Sequence, residues 1–429
     1  MGDARMPARG GGHKIEIGKL LGGSGEDITP FSMGFRTYSA LDHPFMYVDV
    51  TVSDESNLIK DVMEGDPCDY SVEISHVGGD NRSIGGRFHI AKVLTTTQTA
   101  PKKSQAVTFR CKGQEHLLNE QTKYSESRFW WDGTFISEIV KATLRSCFKI
   151  DPLGNAASID NTPVGMPRQH PMQMIAWLNS MALSPTGTHG NFAVYQKFFD
   201  GKAQYFYDDI PKLLLETENV WTFKENETGI GTPGSDTRDI DVKYVNGAPV
   251  SPILSKSTVS FQNAATAVQQ GMGKRAFFRQ DIKNKECFNA TLFPGADRPF
   301  IGRPPMPEVQ KYINNVFQQD SQGRTLYEPW IGDETLRPNG GLQAHVAWVN
   351  GRFLGPKLLS KMVEIKTYGV SLVGPGDLVE LEVPEYNPTR NRPPDPTNGG
   401  VYIVYAVEHL CDRNGFMYSN LVLTRDGTT

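Results

Sequence analysis

The chain lacks the residue groupings that mark most enzymes and most membrane proteins. No run of about 18 apolar residues occurs in its 429 residues, so no helical membrane span is expected. The spacings H-E-x-x-H, Cys-x-x-Cys and G-x-S-x-G and the phosphate-binding loop are all missing. No catalytic, cofactor-binding or metal-ligating residue is therefore assigned, and no cofactor is expected. Neither sign of charge is in large excess: 44 Lys and Arg stand against 48 Asp and Glu, a net charge of −4. That balance excludes a general attraction to nucleic acid or to anionic membranes, though it leaves room for a local basic patch. Cysteine is scarce. Cys68, Cys111, Cys147, Cys287 and Cys411 are odd in number, and no two are spaced as a metal knuckle. They read as reduced thiols of a protein made in a reducing cytosol. The first 30 residues contain no apolar core of signal-peptide length, and Met6 stands where a myristoylation signal needs Ser or Thr.

What is present is mainly strand-like. "FMYVDVTV" (45–52) alternates as a half-buried strand does, and "YSVEI" (70–74), "GRFHIAKVLTT" (86–96) and "AVTFRC" (106–111) continue the pattern. Residues 31–112 read as a small antiparallel β-barrel, after a glycine-rich, flexible arm over 1–30. The texture then changes. "DGTFISEIVKATLRSCF" predicts a helix with Thr134 as N-cap and Ile136, Ile139, Val140, Thr143, Leu144 and Cys147 on one face. A second helix begins at Pro171, and Asp200-Gly201 signals a hairpin between two aromatic-rich strands. These make an α+β unit over 113–215. A second barrel is expected from 216–250 together with 340–429, around an inserted domain at 251–339 with a possible helix over 307–318. The loop "EYNPTRNRPPDPTNGG" (385–400) is long and exposed.

The C-terminal hairpin repeats an earlier one. "GVYIVYAVEHLCDRNGFMYSNLVLTR" (400–425) aligns without a gap on "GRFHIAKVLTTTQTAPKKSQAVTFRC" (86–111), at a constant offset of 314. Gly86 falls on Gly400, Phe88 on Tyr402, Ile90 on Val404, Val93 on Val407, Val107 on Leu421 and Phe109 on Leu423. Upstream, Gly65-Asp66 matches Gly376-Asp377, and Val48 and Val50 match Val363 and Ile365. Any two amphipathic hairpins align to some degree, because alternation has period two. Equal lengths and shared glycines favour a duplication, which would give one chain two similar barrels.

Three features carry possible chemistry, each with a plainer reading. "GIGTPG" (229–234) matches a dinucleotide fingerprint, but Pro233 and "SDTRD" give no helix after it, so it reads as a loop. Asp208-Asp209 is a carboxylate pair that reads as a cap or turn before Ile210-Pro211 rather than a catalytic dyad. Trp130-Trp131 marks either a binding surface or a strand with one ring packed on each face.

In order, "PFMYVDVTVSDESNLIKDV", "KYSESRFWWDGTFISEIVKATL", "HPMQMIAWLNSMALS", "GNFAVYQKFFDGKAQYFYDDIPKLL", "GMGKRAFFRQDIKNKECFNATLF" and the terminal hairpin resemble the baseplate hub proteins of contractile, T-even type phage tails and related contractile injection systems. The resemblance spans most of residues 31–425. It implies an α+β, mainly β fold with two similar tail-tube-like β-barrels and inserted α+β domains. It implies a non-enzymatic homotrimer whose pseudo-six-fold ring adapts the hexameric tail tube to the trimeric central spike. The partners it implies are the spike, tail tube or tube-initiator proteins, the tape measure protein and baseplate wedge proteins. Duplex DNA would pass through the lumen without specific binding. The location it implies is the virion baseplate, assembled in the host bacterial cytoplasm, without membrane insertion. The alternatives are a tail-tip cell-wall hydrolase, or a carbohydrate-binding β-protein using the aromatics near 192–207.

Overall fold

Alternating apolar residues build most of the chain into strands. In the computed structural model, the described residues are 10–17, 26–54, 64–75, 81–99, 104–122, 130–131, 134–159, 164–165, 169–182, 184–185, 191–200, 202–210, 212–213, 219–225, 243–245, 248–261, 275–281, 286–292, 326–327, 361–368, 373–384, 395, 398–412 and 417–425. The first barrel region holds β1 (Gly10–Ile17), β2 (Glu26–Asp27), β3 (Ser32–Ala40), β4 (His43–Asp54), β5 (Pro67–Ser75), β6 (Asn81–Thr99) and β7 (Ser104–Lys112). The next unit holds α1 (Gln114–Gln121), β8 (Trp130–Trp131), α2 (Ile136–Thr143), β9 (Val164–Gly165), α3 (Pro171–Met181) and the hairpin of β10 (Phe192–Phe199) and β11 (Lys202–Asp209). There follow β12 (Asn219–Lys224), β13 (Lys243–Val245), β14 (Ala248–Phe261), β15 (Arg275–Asp281), β16 (Glu286–Leu292), β17 (Leu326–Tyr327), β18 (Lys361–Tyr368), β19 (Leu378–Glu382), β20 (Gly400–Asp412) and β21 (Met417–Arg425). The fold is α+β and mainly β.

Two regions share one strand order. The first runs β3-β4-β7-β6-β5 and the second β14-β18-β21-β20-β19. In the second, β12 lies parallel to both β19 and β14 and closes a six-stranded barrel. Each has its own core. Val48, Val50, Phe88, Ile90 and Phe109 fill the first; Val363, Ile365, Tyr402, Val404, Leu421 and Leu423 fill the second, with Trp221 and Phe223 from β12. Fully burying such a side chain contributes roughly 1.5–3 kcal/mol.

The repeat extends to backbone detail. A β-bulge lies between Ile90 and Lys92 in β6, and between Val404 and Ala406 in β20, again 314 positions on. Another lies between Ser32 and Gly34 in β3, and between Ile253 and Ser255 in β14. Gly65 donates to Ile90 O at 2.7 Å and Ile90 donates to Asp66 O at 2.9 Å; Gly376, Val404 and Asp377 make the same pair of bonds, both at 2.9 Å. Both glycines have positive φ, 98° and 86°, the conformation that requires Gly here. The return strand corrects the ungapped alignment. Ile90 pairs with Cys111 and Val404 with Leu423, so Phe109 corresponds to Leu421 and Cys111 to Leu423, an offset of 312. A second bulge in β6, between Val93 and Thr95, lengthens the first hairpin. Because the displacement is two residues, every side chain keeps its face.

Three further expectations change. β14 pairs with β18 as far as Phe261↔Lys361, so residues 251–261 are a wall of the second barrel and not part of the inserted domain. α2 starts at Ile136 after Phe135, without a side-chain cap, so Thr134 is not its N-cap. Its buried face of Ile136, Ile139, Val140 and Thr143 continues through a π-helical turn, Leu144–Phe148, where Phe148 rather than Cys147 is buried. In the glycine-rich N-terminal segment, β1 pairs antiparallel with β5, from Gly10↔Ile74 to Ile17↔Cys68. Its sheet edge is thus found within the same chain. β1 occupies the place beside β5 that β12 occupies beside β19, running the opposite way. The helix expected over 307–318, "GIGTPG" and most of the 386–400 loop lie outside the described residues.

Candidate functional site

The feature that joins the two copies is a strand pairing. β20 runs antiparallel to β3, from Ala406↔Ala40 to Asp412↔Gly34. The two barrels thereby share an uninterrupted eight-stranded sheet, β14-β18-β21-β20-β3-β4-β7-β6. One face of this sheet supplies the barrel cores. The other carries Glu364 and Lys366 on β18, Glu408 on β20, Arg36 and Tyr38 on β3, Tyr47 and Asp49 on β4, and Arg110 on β7, as the cross-strand register dictates.

Both arginines on this face are held in ion pairs. Arg110 makes a two-pronged hydrogen bond to Asp49, 2.8 Å on each prong, and lies 4.1 Å over the Tyr47 ring. The bond to Asp49 holds the guanidinium above its usual pKa. Arg36 pairs with Glu408 across the junction of the two barrels. Lys366 lies 4.6 Å over the ring of Tyr418. Tyr38 and Tyr47 stack at 5.1 Å, and burial raises both phenol pKa values. The result is a tyrosine-bearing wall on which Arg36 and Arg110 are matched by carboxylates.

The β10–β11 hairpin clamps the junction from the side. Gln196 Oε1 accepts from the Met46 N–H of the first barrel at 2.9 Å. The next residue, Lys197, reaches Asp377 of the second barrel at 2.6 Å, and both side chains are largely buried. Asp377 also accepts from the Gly374 N–H at 2.8 Å, which fixes the turn before β19. Asp200, at φ 50°, makes the tight turn between the hairpin's strands, as its pairing with glycine in the sequence indicates.

The carboxylates singled out in the sequence support this clamp. Asp208 and Asp209 lie in β11, not in a cap or turn, and are almost wholly buried. Successive strand residues face opposite ways, and their partners differ accordingly. Asp208 accepts from the Tyr195 hydroxyl at 2.7 Å and from the Asn155 N–H at 2.8 Å, while Asp209 accepts from the Ser184 hydroxyl at 2.5 Å. Burial raises the pKa of Asp208. This separation is the geometry of two anchors, not of a dyad sharing one substrate. Most aromatics of the hairpin are interior: Phe192, Tyr195, Tyr205 and Tyr207 are buried, which removes them from any sugar-binding platform. Trp130-Trp131 pairs with Val164-Gly165 as a short two-stranded sheet. Cys68, Cys111, Cys147 and Cys411 are free thiols. Among the described residues no group of three or more His, Cys, Asp or Glu is placed to hold a metal ion.

No protein-family model and no curated protein matches the sequence. Solved structures do match along the whole chain. One is the tail protein from Neisseria meningitidis MC58, with TM-score 0.55 and 10% identity, covering 97% of each chain. Another is the 43 kDa tail protein of prophage MuSo2 from Shewanella oneidensis, with TM-score 0.52 and 10% identity, covering 96% of this chain and 98% of that one. The chain therefore has the fold of these tail proteins.

Proposed function

We propose that the chain is the baseplate hub of a contractile phage tail. Three copies form a ring with pseudo-six-fold symmetry, which adapts a hexameric tail tube to a trimeric spike. The observation that carries this reading is the duplicated barrel joined through one continuous sheet. Two like barrels per chain convert a three-fold assembly into a six-fold one at the level of the barrel. The paired-charge face of the sheet lines the channel, where fixed opposite charges give passing DNA little to grip. The role is structural, without catalysis or cofactor. Its partners are the spike, the tube or tube-initiator proteins, the tape measure and wedge proteins, within the virion baseplate. Likeness to tail proteins that span the same length supports the tail assignment.

Light scattering on the purified full-length chain tests the reading. The expected mass is three times the chain's 47.6 kDa. A concentration-independent monomer overturns it.

A further inference from the structure

Gly113 alone separates the end of β7 from the start of α1, so the first barrel passes directly into the α+β unit. Two side chains make the joint. Lys112, the last residue of β7, places Nζ 2.8 Å from Nε2 of His116 in the first turn of α1. An ammonium group only donates, so Nε2 is the acceptor and the ring proton sits on Nδ1. Nδ1 is buried and makes no hydrogen bond among the described residues. From β4, the Phe45 ring meets the imidazole edge to face at 5.3 Å.

This arrangement suits a neutral ring and no other. A further proton would turn Nε2–H and a positive charge toward the Lys112 ammonium, in a half-buried site where like charges repel more strongly than in water. Burial first, then the Lys112 charge, lower the pKa of His116 from its usual value, and Glu120 of α1 opposes them as the smallest of the three influences. The neighbouring elements bring no other counter-charge. On β7, Arg110 is bound to Asp49. Tyr47 of β4 and His89 of β6 flank Lys112 in the ladder, and His89 Nδ1 lies 3.2 Å from Gly65 O. Glu115, the other carboxylate of α1, lies against Gly113. The π-helical turn that packs on α1 presents Arg145, bound to Asp151, and at the far end of α1 His170 Nδ1 lies 2.8 Å from Asn119 O.

The second barrel has a different residue at this place. His89 pairs with Lys112 in the first barrel and Ile403 with Thr424 in the second, so Thr424 is the equivalent of Lys112. Its hydroxyl donates to Lys361 O of the adjoining strand at 3.2 Å. The lysine–histidine contact therefore belongs to the copy that has a helix to attach.

We infer that the Lys112–His116 contact is an acid-released joint that ties α1, and through it the α+β unit, to the first barrel. While the ring is neutral the contact holds α1 against the end of β7. When the ring takes up a proton the two cations part and the first turn of α1 leaves the barrel. The release reaches the rest of the unit because Asn119 of α1 accepts from the Met172 N–H at the start of α3, at 3.0 Å. The folded ring binds its proton more weakly than the unfolded one, whose pKa is 6.5, so the joint is fully stabilising above pH 6.5 and weakens as the pH falls from there. The inference concerns the single chain and does not depend on the ring proposed above.

Amide hydrogen exchange on the full-length chain, read by mass spectrometry and corrected for the intrinsic pH dependence of exchange, tests it. Between pH 7.5 and pH 5.5 the α1 peptide is expected to lose protection by about threefold or more, while the β10 peptide keeps its own. His116→Gln offers Lys112 a neutral amide oxygen at either pH, so its α1 protection should change less than the parent's. Lys112→Met removes the opposing charge and leaves the histidine, and its acid loss should also be smaller, which gives the same reading if His116→Gln folds poorly. Equal α1 protection at both pH values in the parent overturns the inference. So does an acid loss of the same size in the parent and in either variant, or one shared equally by β10, which would mark global unfolding.

Discussion

His409 is buried on β20 where that strand pairs with β3 at the junction of the barrels, with Nδ1 2.8 Å from the Ser419 hydroxyl oxygen, and burial lowers its pKa to about 4. In the unfolded chain the imidazole returns to about 6.5. As pH falls below 6.5 the unfolded state takes up a proton that the native state refuses until about pH 4. Stability is therefore full above pH 6.5 and declines toward pH 4, by about 3 kcal/mol at most. His409→Gln removes this titration, so urea unfolding at pH 7 and pH 4.5 should show a smaller acid loss for the variant than for the parent. Gly376 supplies a second prediction. Its φ of 86° disfavours any side chain, and an added Cβ would meet the Tyr195 hydroxyl. Gly65 shares the conformation, at φ 98°. Gly376→Ala should thus cost more than Gly65→Ala in denaturant midpoint, where backbone strain alone is of order 1–3 kcal/mol. The two glycines were legible in the sequence because a turn of this kind admits little else. The Lys197–Asp377 pair was not, since its members stand 180 positions apart and neither belongs to a spacing pattern.

At the scale of elements, period-two alternation made the paired hairpins legible, and the same period concealed their true return register. A two-residue displacement leaves Leu421 and Leu423 on the core face whether they are matched to Val107 and Phe109 or to Phe109 and Cys111. Residues 251–261 of β14 fall in the stretch expected as the inserted domain, because 251–339 as a whole mixes short segments with many prolines and does not read as a barrel wall. Pro249 and Pro252 fall near its start, before the ladder with β18 begins at Ile253, so neither breaks that ladder. The β10–β11 clamp predicts a coupling between elements. Lys197→Met leaves the Asp377 carboxylate partly buried without its cation, and loss of one partner of such a pair typically costs about 3–5 kcal/mol. Lys197→Met combined with Asp377→Asn should recover part of that loss. A double-mutant cycle by denaturant unfolding measures the coupling, and additive single effects would show that the hairpin is not tied to the second barrel through this pair.

For the whole molecule, the eight-stranded sheet sets the size of the proposed channel. Three copies give about 24 strands, and strands about 4.8 Å apart with a tilt near 40° close a wall roughly 48 Å across between backbones. Inward side chains leave roughly 35 Å, which passes a DNA duplex with a water layer. Passage without retention then depends on how the wall holds its cations. Arg36 and Arg110 are matched by Glu408 and Asp49, which lowers their availability to phosphate. Replacing those acids by Glu408→Gln and Asp49→Asn frees two guanidinium groups per chain and, in the ring, six facing one lumen. Glu408 and Asp49 are largely covered, but both lie on the face of the sheet that points away from the barrel cores, so their amide replacements leave core packing in place. The double variant should retain linear duplex DNA at 50 mM salt and release it by 200 mM, since each phosphate contact adds close to one unit to the salt slope. The parent ring should retain little at either concentration. Equal retention by parent and variant, measured on immobilised rings, would place this face of the sheet away from the channel, and the ring would then have to be turned with its other side toward the DNA.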